Sequence, residues 1–161
     1  MKAKYLSLFI FFSIIVSACQ ADIDPKKALE DIYIVALDSI MEQDEALSHY
    51  MEYVAIDMSN FKNVSQQEKE GILNFFSEKY KIEAMDATYE QLKEKGLYNP
   101  ETTSLHGVLL RIEEVEFKFN NEILFVGSKY RSGLGAVGVE VIVHYKNNKW
   151  KSKETKMMWI S

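Results

Sequence analysis

The spacing of apolar residues switches from helical to strand-like near residue 100, and this switch constrains the fold more than any other feature of the chain. Between Leu29 and Ile40, apolar side chains recur at steps of three and four, the spacing of one buried helix face. From Leu105 onward they recur at steps of two, as in strands that bury one face. The sequence therefore predicts an α+β protein in which N-terminal helices pack on a curved antiparallel sheet of about four strands.

Residues that accept hydrogen bonds from a first helical turn mark four helix starts before residue 100. These capping residues are Asp24, Asp44, Ser65 and Thr88. Glu68 and Gln91 have the spacing that completes a capping box after Ser65 and Thr88. The helix after Asp44 is predicted to carry an apolar stripe from Leu47 to Val54.

Turn signals divide the C-terminal half into strands. Residues 120–121 and 147–148 are both Asn-Asn, and asparagine tolerates the positive φ that tight turns need. The parity of the apolar residues shifts between Ile112 and Val115, which predicts a bulge near Glu113 and Glu114. Two hairpins are therefore expected between residue 105 and residue 160.

Composition limits both the size of the protein and its partners. The chain has 161 residues, of which 47% are hydrophobic and 27% charged, enough to form one globular core. The net charge of −5 argues against generic nucleic-acid binding. Because the chain contains one cysteine, no disulfide can form within a monomer.

Residues 1–18 have the pattern of a secretory signal peptide. Lys2 and Lys4 form the positive start, an apolar stretch runs from Tyr5 to Val16, and small residues precede Cys19. The apolar stretch is shorter than the roughly 20 residues that span a bilayer. We expect this segment to be removed during export.

The sequence Val16-Ser17-Ala18-Cys19 resembles the lipobox of bacterial lipoproteins. The resemblance implies that Cys19 becomes the first residue of the mature chain and carries thioether-linked lipid with acyl chains such as palmitate. An ordinary signal peptidase would cut the same bond and leave Cys19 as a free thiol. Lipidation predicts attachment to the extracytoplasmic face of the cell membrane, or to the outer membrane in a double-membraned cell, because Gln20 is not the retaining Asp.

The predicted organisation is therefore a signal peptide at 1–18, a lipidated N-terminus and short tether at 19–24, and a single α+β domain at 25–161. Loss of Lys2 and Lys4 leaves 17 basic and 24 acidic residues, so the mature chain has a net charge of −7. Its expected partners are the lipid bilayer, through Cys19, and an unidentified protein or small ligand. The oligomeric state stays open.

Two further resemblances bear on the domain. Residues 36–47 resemble the junction of the first and second helices in the NTF2-like superfamily, which implies an early helical layer packed into a curved sheet. Residues 127–138, with Trp159-Ile160-Ser161, resemble uncharacterised small lipoproteins of low-GC Gram-positive bacteria. Those lipoproteins imply a lineage and no established activity.

A glycine-rich segment follows the only ligand-binding residues that the sequence suggests. Residues 133–138 fit the pattern G-x-G-x-x-G, but a strand pattern follows where a nucleotide site needs a helix, so a hairpin or bulged sheet corner is predicted. Tyr130 and Arg131 precede the glycines, and a phenol with a guanidinium can bind an anion. The alternative is that Arg131 pairs with an acid of the fold.

No catalytic residue, cofactor or metal site is assigned. The three histidines, His49, His106 and His144, lack the spacing of metal ligands. Enzymes of the NTF2-like superfamily place a carboxylate or a His-Asp pair inside the cone of the sheet, where Asp57, Asp86 and His106 are the candidates. The sequence does not fix the geometry of these three residues.

The function expected from the sequence is that of a membrane-anchored extracytoplasmic binding or interaction module. A small-molecule enzyme that uses an NTF2-like pocket is one alternative, and an accessory protein of a membrane transporter is another. Lys149, Lys151 and Lys153 line one face of the last predicted strand, where they protect a sheet edge or contact anionic lipid headgroups.

Overall fold

The computed structural model describes residues 24–161, so the predictions on the signal peptide and on Cys19 lie outside the described residues. This described part of the chain contains three α-helices: α1 (Leu29–Met41), α2 (Gln66–Tyr80) and α3 (Tyr89–Glu94). The strands are β1 (Tyr53–Asp57), β2 (Glu83–Asp86), β3 (Tyr98–Asn99), β4 (Ser104–Phe117), β5 (Glu122–Ser132), β6 (Gly135–Lys146) and β7 (Lys149–Ile160). None of the helices in this part of the chain is long and apolar enough to cross a bilayer.

The α+β class is confirmed, but the sheet is larger than predicted and is mixed. Its seven strands follow the order β2-β1-β4-β5-β6-β7, with β3 paired separately to β4. Strands β4 to β7 form the predicted antiparallel meander, whereas β1 runs parallel to both β2 and β4. The prediction of about four strands was therefore too low, because it omitted the parallel strands β1 and β2 and the short antiparallel strand β3.

The predicted helix from Leu47 to Val54 is wrong. A short 3-10 helix spans Glu45–Ser48, and the chain then enters β1. All five residues of β1 are buried, since helices α1 and α2 cover one face of this strand and α3 covers the other. A strand that is buried on both faces lacks the alternation by which strands are recognised.

The main core lies between the sheet and helices α1 and α2. The predicted stripe of α1 is fully buried, and it packs on the inward-facing valines of β6 and on Phe125. Both predicted capping boxes are present, with Ser65 and Glu68 starting α2 and Thr88 and Gln91 starting α3. These caps fix where each helix begins against the sheet.

A second, smaller core lies on the opposite face of the sheet. There α3 and the segment around β3 cover Tyr53, Ala55 and Leu109. The Tyr53 hydroxyl donates to the Leu97 carbonyl at 3.0 Å, which ties the covering segment to β1. The sheet is therefore covered on both faces at β1, next to its β2 edge.

The predicted turns and bulge are confirmed. Residues 120, 121, 147 and 148 all have positive φ. The β4–β5 register shifts between Ile112 and Glu114, so the bulge falls at Glu113. The glycine-rich segment forms the tight β5–β6 turn with a further register shift after Tyr130, as a hairpin or bulged corner requires.

Lys129 is a buried cation on the helix-facing side of β5. Its ammonium donates to the carbonyl oxygens of Met41, Gln43 and Asp44 at 2.8, 2.9 and 3.0 Å. The Met41 carbonyl belongs to the last turn of α1, and Gln43 and Asp44 lie in the segment that directly follows the helix. Lys129 thus fixes the end of α1 to the centre of the meander.

Candidate functional site

A cleft of about 360 Å³ opens on the sheet face that points away from α1 and α2. It lies between the start of α3 and strands β1, β4 and β5. Eight residues line it: Asp57, Tyr89, Glu90, Leu109, Arg111, Glu113, Ser128 and Tyr130. It brings together charged, aromatic and hydroxyl groups from four separate elements.

Asp57 is the most enclosed charged group of the cleft, with a side chain only 9% exposed. Its Oδ1 accepts hydrogen bonds from the Ser59 amide at 3.0 Å and from the Ser59 hydroxyl at 2.5 Å. Its Oδ2 lies 3.8 Å from Nε of Arg111, its partner in the parallel β1–β4 register. That distance exceeds a hydrogen bond, so Oδ2 keeps accepting capacity toward the cleft.

Glu113 and Ser128 form the side of the cleft opposite Asp57. Alternation along β4 places Leu109, Arg111 and Glu113 on the same face, with Glu113 at the bulge. The Ser128 hydroxyl donates to Oε1 of Glu113 at 2.9 Å. A second carboxylate is therefore oriented beside the half-exposed guanidinium of Arg111.

Tyr89 and Tyr130 form the aromatic wall of the cleft, and Tyr98 packs against Tyr89. The rings of Tyr89 and Tyr130 meet edge to face with centroids 5.4 Å apart, and Tyr98 packs on Tyr89 at 5.8 Å. The Lys93 ammonium lies 4.8 Å from the centroid of the Tyr89 ring, so this ring already receives one cation. Desolvation raises the pKa of Tyr89, with the Tyr130 hydroxyl adding to the shift, and its phenol stays neutral at neutral pH.

The charges of the cleft favour a positive group in a bound molecule. Three carboxylates and one guanidinium line it, which gives a formal net charge of −2. Tyrosine faces attract cations through the ring quadrupole, in the same direction as the carboxylates. Arg111 adds a planar donor suited to a carboxylate.

The structure separates the two ligand-binding residues that the sequence suggested. Tyr130 lines the cleft, whereas Arg131 points to the other side of the strand and donates to the carbonyl oxygens of Leu47 and His49. Arg131 thus holds the segment before β1, and its acceptors are backbone carbonyls and not an acid. Tyr130 remains a predicted binding residue beside a different guanidinium, that of Arg111.

Of the residues considered for catalysis, Asp57 alone lies in the cleft. Asp86 accepts a hydrogen bond from the Met58 amide at 3.2 Å and lies 3.7 Å from the Lys69 ammonium. His106 is paired with Glu52 at 3.8 Å, outside the cleft. Within residues 24–161, no three histidine, cysteine, aspartate or glutamate side chains converge as metal ligands.

A larger cavity of about 600 Å³ lies at the N-terminal end of α1, beneath the loop of residues 59–63. Its charged groups, including Lys26 and Lys62, are exposed side chains. The cleft at Asp57 is smaller, but it holds a buried carboxylate that faces a guanidinium. Enclosed charged groups are the better sign of a binding site.

Comparisons with protein-family models, with curated proteins and with solved structures gave no significant match for the chain. The cleft is therefore interpreted from its own chemistry. Six lining residues were not suggested by the sequence, because the elements that carry them meet only in the folded protein: Tyr89, Glu90, Leu109, Arg111, Glu113 and Ser128.

Proposed function

We propose that this protein is a membrane-anchored extracytoplasmic lipoprotein whose domain binds a small organic cation or zwitterion in the cleft at Asp57. The resemblance of residues 16–19 to a lipobox supports the anchoring. The binding proposal rests mainly on one observation, the enclosed Asp57 carboxylate between the tyrosine wall and Arg111.

An ammonium group fits the acidic side of the cleft. Among residues 24–161, no group donates a hydrogen bond to Oδ2 of Asp57 within 3.5 Å, so a ligand N–H can donate to this atom while the cation contacts the Tyr130 ring. Glu113 adds a second negative charge within the same cleft. A purely anionic ligand would meet these carboxylates and be repelled.

Arg111 extends the proposal from amines to zwitterions. Its side chain is 50% exposed and its guanidinium is not fully used by Asp57. A ligand that carries both an ammonium and a carboxylate, such as a free amino acid or a betaine, would satisfy both sides of the cleft. We therefore propose such a molecule as the preferred ligand class.

The NTF2-like relationship also stays a proposal. A long antiparallel meander with helices on one face is in keeping with it. The parallel β1–α2–β2 unit lies outside the residues that carry the resemblance.

Thermal unfolding of the exported chain with a panel of amines, amino acids, betaines and simple carboxylates tests the binding proposal. A ligand present at about 100 times its dissociation constant stabilises the folded state by about 2.7 kcal/mol, a readily measured rise in melting temperature. We expect amines or zwitterions to give this rise and simple carboxylates to give none. A panel without any stabilising amine or zwitterion would refute the proposal.

Matched variants locate the site. Asp57→Asn keeps an oxygen for the Ser59 contacts but removes the charge, and we expect at least a tenfold loss of affinity, about 1.4 kcal/mol. Glu140→Gln removes a carboxylate from the same sheet face outside the cleft and serves as the control. Equal loss in both variants would contradict a site at Asp57. Turnover of the bound molecule would instead favour the enzyme alternative.

Mass spectrometry of the mature N-terminus tests the anchoring separately. We expect an acylated Cys19 and release of a Cys19→Ser variant from the membrane. An unmodified terminus on the native chain would refute the anchor and leave the cleft proposal intact.

A further inference from the structure

The turn between β4 and β5 exposes two large aromatic side chains at its tip. Phe117 is 54% exposed and Phe119 is 94% exposed, and Lys118 lies between them. Asn120 and Asn121 both adopt left-handed conformations, which hold the turn in a fixed shape. We call residues 117–121 the aromatic tip. Apolar side chains this exposed, side by side, mark an interaction surface.

The start of the domain lies directly beside the aromatic tip. Asp24, Pro25 and Lys26 line one shallow cleft together with Phe117 and Lys118. Cys19 precedes Asp24 by five residues, which reach at most about 18 Å when fully extended. A lipid on Cys19 therefore keeps the aromatic tip within reach of the bilayer surface.

The same end of the sheet carries exposed lysines. The antiparallel meander places the β6–β7 turn at the end that holds the aromatic tip. Five exposed lysines lie at this end, Lys26, Lys27, Lys118, Lys146 and Lys149, against the acidic residues Asp24, Glu116 and Glu122, of which Glu122 is paired with Lys153. The mature chain as a whole has a net charge of −7, so this concentration of positive charge is local. It complements anionic lipid headgroups.

We propose that the aromatic tip docks into the headgroup region of the bilayer that carries the lipid anchor, with Phe117 and Phe119 inserted and the neighbouring lysines against anionic headgroups. This inference rests on the proposed anchoring at Cys19. The tether raises the local concentration of lipid so strongly that a weak contact is enough to hold one orientation.

At the opposite end of the sheet, where Met158, Trp159 and Ile160 of β7 are also exposed, Leu134 provides a control residue. Leu134, at the tip of the β5–β6 turn, is 92% exposed and has no comparable aromatic neighbour in its turn. It lies at the other end of β5 from the aromatic tip. Substitutions at Leu134 therefore change an exposed apolar side chain on the surface that faces away from the membrane.

The test uses the full exported chain with Cys19→Ser, so that binding does not depend on acylation. Co-sedimentation is measured with vesicles of phosphatidylglycerol and phosphatidylcholine in equal parts, and with phosphatidylcholine alone. We expect binding to the anionic vesicles that weakens from about 0.15 M to about 1 M salt, as the Debye length falls. Phe119→Ser should lower the partition constant about tenfold, whereas Leu134→Ser should change it less than about twofold.

A fluorescence measurement complements the loss of binding. Phe119→Trp should show a blue-shifted emission and quenching by brominated phosphatidylglycerol, and Leu134→Trp should show neither, after subtraction of the parent signal. Because Phe119 is almost fully exposed, these substitutions leave the core untouched.

Three results would overturn the inference. They are absence of vesicle binding by the parent chain, equal binding by Phe119→Ser, and a dimer that Phe119→Ser dissociates without any vesicle binding, which would assign the tip to a second copy. Failure of the anchor itself is seen independently, as an unacylated Cys19 in the mass of the native chain.

Discussion

Replacing Lys129 by methionine tests how the end of α1 is held to the sheet. The substitution removes three charge-assisted hydrogen bonds of 2.8–3.0 Å and leaves the Met41 and Gln43 carbonyls without that donor, whereas the Asp44 carbonyl still accepts from the Leu47 amide. Each bare carbonyl costs about 1–3 kcal/mol, and removal of the buried ammonium returns several kcal/mol of desolvation. We expect a net loss of about 2–4 kcal/mol in the free energy of unfolding at pH 7.

The loss of stability in Lys129→Met should increase with pH. Burial lowers the pKa of Lys129 from 10.5 to about 8, against the raising effect of the Asp44 and Glu45 carboxylates. Between these two values the unfolded chain holds the proton and the folded chain has released it, so stability rises with pH by about 1.4 kcal/mol per pH unit. This contribution is complete above pH 10.5 and is lost as the pH falls through about 8.

Urea unfolding of the parent and of Lys129→Met between pH 7 and pH 10 measures both effects. Between pH 8 and pH 10, the free energy of unfolding of the parent should rise by about 2–3 kcal/mol relative to that of the variant. The titration of tyrosines cancels in the difference between the parent and the variant. This includes Tyr53, because burial raises its pKa to about 12 in both proteins. Lys146→Met, on the next strand and exposed, is the control. A pH-independent difference, or a variant as stable as the parent at pH 7, would refute the reasoning.

Further substitutions test the sheet and the caps. Gly107→Ala would place a Cβ in steric overlap with the Tyr53 carbonyl oxygen, and we expect a loss above about 2 kcal/mol in the free energy of unfolding in urea. Gly71→Ala meets only a movable side-chain carboxylate and should be neutral or stabilising by up to about 1 kcal/mol, which separates the two cases. Ser65→Ala removes the α2 cap and should cost about 1 kcal/mol, while an unchanged midpoint would contradict the capping box.

Local signals in the sequence predicted local structure well. The capping boxes at Ser65 and Thr88, the asparagine turns and the bulge at Glu113 were all readable, because each depends on residues within four positions of one another. The alternation in β6 was equally clear, since only one face of that strand joins the core.

The parallel part of the sheet could not be predicted from the sequence. Strand β1 is buried on both faces, so its sequence shows no period of two. Its partner β2 has four residues and is only half-buried. Both strands depend on pairing across the intervening helix α2, which no short-range pattern encodes.

The cleft likewise combines residues that the sequence suggested with residues that only long-range pairing brings together. Tyr130 and Asp57 were candidates because of their residue types, but Arg111 pairs with Asp57 only through the parallel β1–β4 register. Tyr89 reaches the cleft because α3 folds over the outer face of the sheet. A prediction that does not include strand β1 could not place these groups together.

The two proposals also constrain each other. Arg111 and Glu113 are six and four residues from Phe117 on β4, which at about 3.3 Å per residue puts these cleft residues about 20 Å and about 13 Å from the aromatic tip. With the tip in the headgroups, the cleft therefore opens in the aqueous layer above the bilayer and not among the acyl chains. A ligand at Asp57 must then be water-soluble, as an amine or zwitterion is, and lipid tails are excluded as occupants by distance.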